Sequence, residues 1–239
     1  MLRIANVGPK DFVIDLGSGD GRILITAARD RGARGFGVDI DPQRVTEAIE
    51  NAKAAGVADR ARFTRANLYL TKISEATVVT LYLLPRVNIE LRPRLLAELR
   101  PGTRVVSHDF DMGDWQPDLQ VSVRDAGSEV YFWVIPAQVG GRWLVQGAAP
   151  RGRENFAIEF KQKYQVIEGT VQGFERSADV RDPRIDGERV LFTIVDNTDF
   201  AHRVRYEGRV KGDTMEGTLR GEGSAPRGVH RWRAVRAQP

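Results

Sequence analysis

The chain has 239 residues, 41% hydrophobic and 28% charged, which is enough to bury a core without covalent staples. It has no cysteine, and its three histidines form no HxH or HExxH pattern. Disulfide frameworks and thiol chemistry are therefore excluded, and a histidine metal site is not expected. The net charge of +4 lies wholly in the second part: residues 1–140 carry 18 basic and 18 acidic side chains, residues 141–239 carry 18 and 14.

As far as Ala137, short β-branched runs alternate with helical periodicity, the pattern of a mostly parallel α/β sheet. Strands are expected at 13–16, 35–38, 62–64, 77–83, 104–107, 122–124 and 130–135. Ile23, Leu24, Ala27 and Ala28 begin a helix after the first strand. Val45, Ala48, Ile49 and Ala52 mark one face of the next, with Asp41 to cap it, Pro42 in its first turn and Gly56 to end it. Leu91, Leu95 and Leu99 mark a third, stopped by Pro101-Gly102, and Pro93 inside it predicts a kink or a fresh start.

Beyond Gly140-Gly141 the helical period gives way to alternation punctuated by glycines, with strands expected at 156–160, 165–170, 190–195, 203–210, 215–220 and 229–235. Such spacing predicts an antiparallel β-barrel or sandwich. The apolar positions Trp143, Phe156, Ile158, Phe160, Val166, Val171, Leu191, Ile194, Val204, Tyr206, Leu219 and Trp232 would supply its core. The expected division is residues 1–139 and 140–239. The arginine excess of the second part reads as a solvated surface in preference to a nucleic-acid patch, and it would then act in recruiting or orienting an acidic partner.

The chemistry concentrates at residues 13–22, VIDLGSGDGR, where an apolar strand runs into a glycine-rich turn that opens a helix. Gly17, Gly19 and Gly21 let the backbone turn sharply and let a ligand approach closely. The spacing is GxGxG, and Arg22 stands where GxGxxG needs its last glycine, which argues against a nicotinamide dinucleotide. Asp15 and Asp20 place negative charge where a phosphate loop would avoid it. An acidic loop, with Ser18 inside it, instead suits the ammonium and sulfonium groups of S-adenosylmethionine. Asp39, ending the next strand 22 residues after Gly17, can grip two ribose hydroxyls, with Ile40 beside it. Asn67-Leu68, after the third strand, falls where an amide side chain can meet the adenine.

These residues resemble class I S-adenosylmethionine-dependent methyltransferases. Residues 77–115 narrow the likeness to small archaeal broad-specificity protein-lysine methyltransferases and to the enzymes that methylate a subunit of ATP synthase. Tyr82-Leu83-Leu84, Asn88, Ser107-His108-Asp109-Phe110 and Trp115 carry it, and it covers about residues 1–135. The resemblance implies a Rossmann-like sheet, S-adenosylmethionine as the cofactor, a protein lysine as the acceptor, and a cytoplasmic setting where the donor is made. Tyr82 is expected beside the acceptor nitrogen. Asn88 is expected either to hydrogen-bond the acceptor or to cap a helix, His108 and Asp109 to end the fifth strand, and Trp115 to pack.

Pro85 replaces the threonine usual in the archaeal enzymes. Only residues 1–11 precede the first strand, where related domains carry a closing helix and loop, so a truncated or more open site is expected. A small-molecule acceptor and a non-catalytic cofactor-binding module are the alternatives. Nucleic acid is disfavoured, because amino-methylating DNA enzymes end the fourth strand with Asn or Asp, two prolines and an aromatic. No apolar run approaches the roughly 20 residues of a membrane span. In the second part, Gly141-Arg142-Trp143 and Arg231-Trp232-Arg233 resemble lipocalin-like closure, a first-strand tryptophan stacked by a last-strand arginine.

Overall fold

The run Phe-Val-Ile-Asp-Leu forms β1 (Phe12–Leu16), buried from Val13 onward because the sheet is covered on both faces. It pairs in parallel with β2 (Arg34–Asp39) and β4 (Val78–Leu81). β3 (Ala61–Arg65) and β5 (Arg104–His108) extend the parallel set, and β6 (Leu119–Val123) and β7 (Ser128–Val134) join antiparallel. The strand order is β3-β2-β1-β4-β5-β7-β6. All five parallel strands therefore deliver their C-terminal ends to one edge, where ligands bind in open α/β sheets. The structure is a computed structural model, and it describes every residue except 124–126, 150–151, 154, 174–176, 226 and 238–239.

Three helices cover this sheet: α1 (Arg22–Arg31), α2 (Pro42–Ala54) and α3 (Pro85–Glu98). Asp41 caps α2 as expected, its carboxylate accepting from the Gln43 amide at 2.8 Å. Val45, Ala48 and Ala52 are buried, whereas Ile49 is turned partly to solvent at the margin of that stripe. α3 runs unbroken through Pro93, so the fresh start anticipated there does not occur. The expected strand 77–83 is shorter, and Tyr82 and Leu83 lie in the connection beyond it. Of the expected strand 122–124, residues 122 and 123 belong to β6, and Arg124 lies outside the described residues. Among the described residues no helix is long and apolar enough to cross a membrane.

The chain divides into two compact units, Met1–Ile135 and Pro136–Pro239. The second contains β8 (Gly141–Ala149), β9 (Gly152–Arg153), β10 (Phe156–Lys163), β11 (Val166–Gln172), β12 (Ala178–Asp186), β13 (Arg189–Asp196), β14 (Asp199–Lys211), β15 (Thr214–Gly223) and β16 (Val229–Arg236). β10 to β16 form an antiparallel meander, and β8 pairs with both β16 and β10, closing an eight-stranded barrel. Among the described residues each of the eight barrel strands is therefore paired on both sides. The interior is filled by aromatic rings: Phe192 stacks on Tyr206 at 4.8 Å, and Trp232 meets both edge-on.

Two expected core positions face the other way. Val166 is exposed and Leu191 only half-buried, while Ile167, Val190 and Phe192 point inward. Each lies in a run of adjacent apolar residues, where a period of two does not choose the face. The tryptophan–arginine closure is present, but the arginine is Arg236, not Arg231 or Arg233. Its guanidinium lies 4.4 Å from the Trp143 ring and donates to the carbonyls of Gln138 and Gly140.

Candidate active site

The turn after β1 is held from beneath by β2. The Gly17 and Ser18 amides donate to the Val38 carbonyl, and the Gly19 amide donates to Oδ2 of Asp39 at 2.9 Å. Oδ1 of Asp39 accepts from the Asp41 amide at 3.0 Å, so this carboxylate joins the end of β2 to the turn. Gly19 has a φ of 53°, and a Cβ there would meet nothing within 4 Å. Gly21 has a φ of 81°, and its Cβ would collide with Phe63 and Ala48. Gly19 thus faces open space, while Gly21 lets α1 start hard against its neighbours.

Two acidic residues of the loop differ sharply. Asp15 is buried on β1 and accepts from the Thr80 hydroxyl at 2.6 Å, while its Oδ2 has no partner. Burial raises its pKa to about 7, with Asp39 and Asp20 adding to the rise and Thr80 opposing it. Asp20 is instead gripped by the Arg22 guanidinium at 2.5 to 3.0 Å, which holds its carboxyl below the usual range. Asp20 is therefore compensated by a cation, whereas among the described residues the Asp15 and Asp39 carboxyls accept from a hydroxyl and from backbone amides and pair with no cation. Ile40 is 65% exposed beside them. Asn67 spends its side-chain oxygen on the Tyr69 amide at 2.9 Å, capping a short 3-10 turn (Leu68–Leu70), and Leu68 is half-buried.

The ends of β4 and β5 carry a second group. The Tyr82 ring, 55% exposed, lies 4.3 Å from the His108 imidazole. His108 Nδ1 is buried 3.1 Å from Oδ2 of Asp109. Asp109 has a φ of 62°, unusual for a non-glycine residue, and exchanges two hydrogen bonds with the Glu129 backbone.

Asn88 does not cap α3; that position is Leu84. It is fully buried, and its amide nitrogen donates to the Ser107 hydroxyl and to the carbonyls of Phe110 and Asp111 at 3.0 to 3.3 Å. Trp115 packs as expected, buried against Trp133.

Comparison with known proteins agrees with this arrangement. Residues 15–119 match the family model of the ANTKMT methyltransferase domain. A protein-lysine N-methyltransferase of Saccharolobus islandicus is 48% identical over 138 residues, covering 56% of this chain and 86% of that protein. The chain belongs to the class I S-adenosylmethionine-dependent methyltransferases. A solved structure from Salinibacter ruber, described as an RNA methyltransferase in complex with S-adenosyl-L-homocysteine, is 57% identical with a TM-score of 0.56. It covers 58% of this methyltransferase and 89% of that chain. The ATP synthase c-subunit lysine N-methyltransferase of Xenopus laevis is 33% identical over 107 residues, 45% of this chain, and the match spans about half (47%) of that relative.

The turn of this methyltransferase fits the donor on its own geometry. Asp15 Oδ2 and the Ser18 hydroxyl are buried without partners, and Gly19 adjoins open space. Sequence reasoning missed Thr80 and Arg92. Thr80 is a lone hydroxyl in a wholly buried strand, a legible signal that a polar partner lies across the sheet. Arg92 donates to the Met112 carbonyl at 2.7 Å and pairs with Asp114, fixing the loop after β5 from within α3.

Proposed function

We propose that this methyltransferase N-methylates lysine side chains of protein. The observation that carries the reading is the 48% identity to an archaeal protein-lysine methyltransferase across 86% of its length. The matched family model, residues 15–119, includes Tyr82, His108 and the loop after β5. When bound, S-adenosylmethionine supplies an electrophilic methyl group carried on a sulfonium. Asp39, already fixed by two backbone amides, offers its remaining lone pairs to ribose hydroxyls. Asp15 supplies negative charge toward the cationic groups, and Ser18 and the amides of Gly17, Gly19, Asp20 and Gly21 shape the cradle. Ile40, Asn67 and Leu68 provide the adenine side.

On the acceptor side, a lysine attacks only as the neutral amine. From an unperturbed pKa of about 10.4, losing the proton at neutral pH costs about 4–5 kcal/mol. Desolvation and a nearby positive charge both reduce that cost, so no strong base is required. Tyr82, braced by His108, forms the wall beside the amine. Asn88 serves as a positioning residue through the loop after β5, in place of the direct catalytic role expected from the sequence. The reaction is assigned to the cytoplasm, where the donor is made.

The Salinibacter ruber relative favours a second reading, an RNA acceptor. The Tyr82-Leu83-Leu84-Pro85 sequence after β4 weighs against it, since it lacks the Asn/Asp-Pro-Pro pattern of enzymes that methylate base amines. Incubating a cell lysate with methyl-labelled donor separates the two. Label that protease removes and ribonuclease leaves supports lysine transfer. The opposite pattern supports RNA, and label in neither fraction supports a small-molecule acceptor.

A further inference from the structure

The outward positions of β14, β15 and β16 carry an unusual charge arrangement. Seven basic side chains (Arg203, Arg205, Arg209, Lys211, Arg220, Arg231, Arg233) share this face with four carboxylates (Asp199, Glu207, Glu216, Glu222). Register sets Arg205 directly opposite Arg220, and Arg189 of β13 directly opposite Arg209. Like charges directly opposed across strands cost stability, so the fold sustains repulsion here.

Three carboxylates are paired locally, and Glu222 stands opposite Arg203 in register. Glu207 pairs with Arg205 at 2.9 Å, Glu216 with Lys211 at 3.5 Å, and Arg209 with Glu188 at 3.5 Å. Among the described residues Arg220, Arg231 and Arg233 have no ion-pair partner. Arg209, Arg231 and Arg233, with Glu216, line a depression of about 560 Å³, and Arg205 and Arg220, with Glu207 and Glu222, line one of about 250 Å³ that shares Thr218 with it.

We propose that this face of the barrel is a docking surface for an acidic segment of a protein partner. Guanidinium groups match carboxylates in a two-pronged geometry that lysine does not offer, and six of the seven cations are arginine. Barrel closure leaves no free edge for strand addition among the described residues, so recognition here is by side chains. Nucleic acid fits less well. Single strands are held by stacking on several exposed aromatic rings, and among the Phe, Tyr and Trp of β14 to β16 Phe200 alone is exposed, Tyr206 and Trp232 being buried. The proposal does not rest on the identity of the methyl acceptor.

The test is fluorescence anisotropy of labelled deca-glutamate titrated into the full-length protein at low salt. Wild type should bind saturably, and added salt should weaken the binding. The triple variant Arg220→Gln/Arg231→Gln/Arg233→Gln should lose affinity by about tenfold or more. Arg100→Gln, an exposed change in the other unit, should leave it unaltered. Relief of the Arg205–Arg220 repulsion should leave the triple variant's unfolding midpoint unchanged or raised, which separates lost binding from lost folding. Equal binding by wild type and triple variant overturns the proposal. Tighter binding of labelled deca-uridine RNA than of the peptide also overturns it, and identifies the surface as a nucleic-acid site.

Discussion

The Thr80 hydroxyl donates to Oδ1 of Asp15 at 2.6 Å across the β1–β4 pair, directly beneath the glycine turn, and Oδ2 is left buried with no partner. A buried carboxyl with one satisfied oxygen is costly to ionise, and its pKa is accordingly raised from 3.8 to about 7.

This relationship sets the pH dependence of stability. The folded pKa exceeds the unfolded one, so the protonated carboxyl stabilises the fold. That contribution is complete below the unfolded pKa of 3.8 and is lost as pH rises through about 7. Asp15→Asn mimics the protonated form and should be more stable than wild type near pH 8, by up to about 4 kcal/mol. Urea unfolding of both proteins across that pH range checks it. A variant less stable than wild type at pH 8 contradicts the assignment.

The same carboxyl should couple donor binding to protons. A cationic donor favours the ionised form, so affinity should climb with pH through about 7 and then level. Titration calorimetry in buffers of different ionisation enthalpy should detect proton release. Asp15→Asn should bind more weakly and without that pH dependence.

Asp39 is assigned two tasks, bracing the Gly19 amide and gripping the ribose. Asp39→Ala should therefore weaken S-adenosylmethionine and S-adenosylhomocysteine alike, by about 1.5–3 kcal/mol, the range for a hydrogen bond to a charged group. Wild type should show no response to NADH in the same titration. Tight NADH binding would overturn the reading of the turn.

On the opposite edge of the sheet, Asp11 joins Thr77, Arg104 and the Gly8 amide, and Arg104 continues to the carbonyls of Ala5 and Asn6. Burial works against the Asp11 carboxylate, but these partners together hold its pKa below the usual value. Asp11→Asn should cost about 2 kcal/mol at neutral pH. The gap to wild type should close as pH falls below the unfolded value of 3.8, because the stabilisation of a depressed carboxyl is lost there. A gap that persists in acid would show that packing, and not charge, is responsible.

Much of the first unit was legible because its elements state themselves twice, in periodicity and in caps. Asp41-Pro42 and Gly56 bracket α2, and the turn at residues 17–21 joins a buried strand to a helix. The cap expected at Asn88 is absent because a buried amide clamping the Ser107 hydroxyl and two loop carbonyls leaves the same trace in sequence as a polar helix start. The second unit was legible as an antiparallel barrel or sandwich, with closure signalled by Trp143 and a last-strand arginine, but the strands that carry the closure were not all readable. β12 was missed because it reads Ala-Asp-Val-Arg-Asp-Pro-Arg-Ile-Asp, with a register shift between Arg181 and Arg184 that absorbs the proline. Closure through β8 depends on pairing between strands far apart in sequence, and no local pattern encodes it.

We propose that the cofactor site is complete within the first unit, as the division expected near residue 139 implies. Expressed alone, residues 1–135 should bind S-adenosylmethionine with the affinity of the full chain. A folded fragment that fails to bind would mean that residues beyond Ile135 contribute to the site.

The most direct test of lysine methylation is to block lysine amines before the reaction. A lysate whose proteins have been exhaustively acetylated is compared with an untreated one, each incubated with the enzyme and methyl-labelled donor. The account predicts that acetylation abolishes protein labelling, and that peptide mass spectrometry of the untreated sample places the methyl groups on lysine side chains. Labelling that survives acetylation undiminished, with no methyllysine in the peptides, would contradict it.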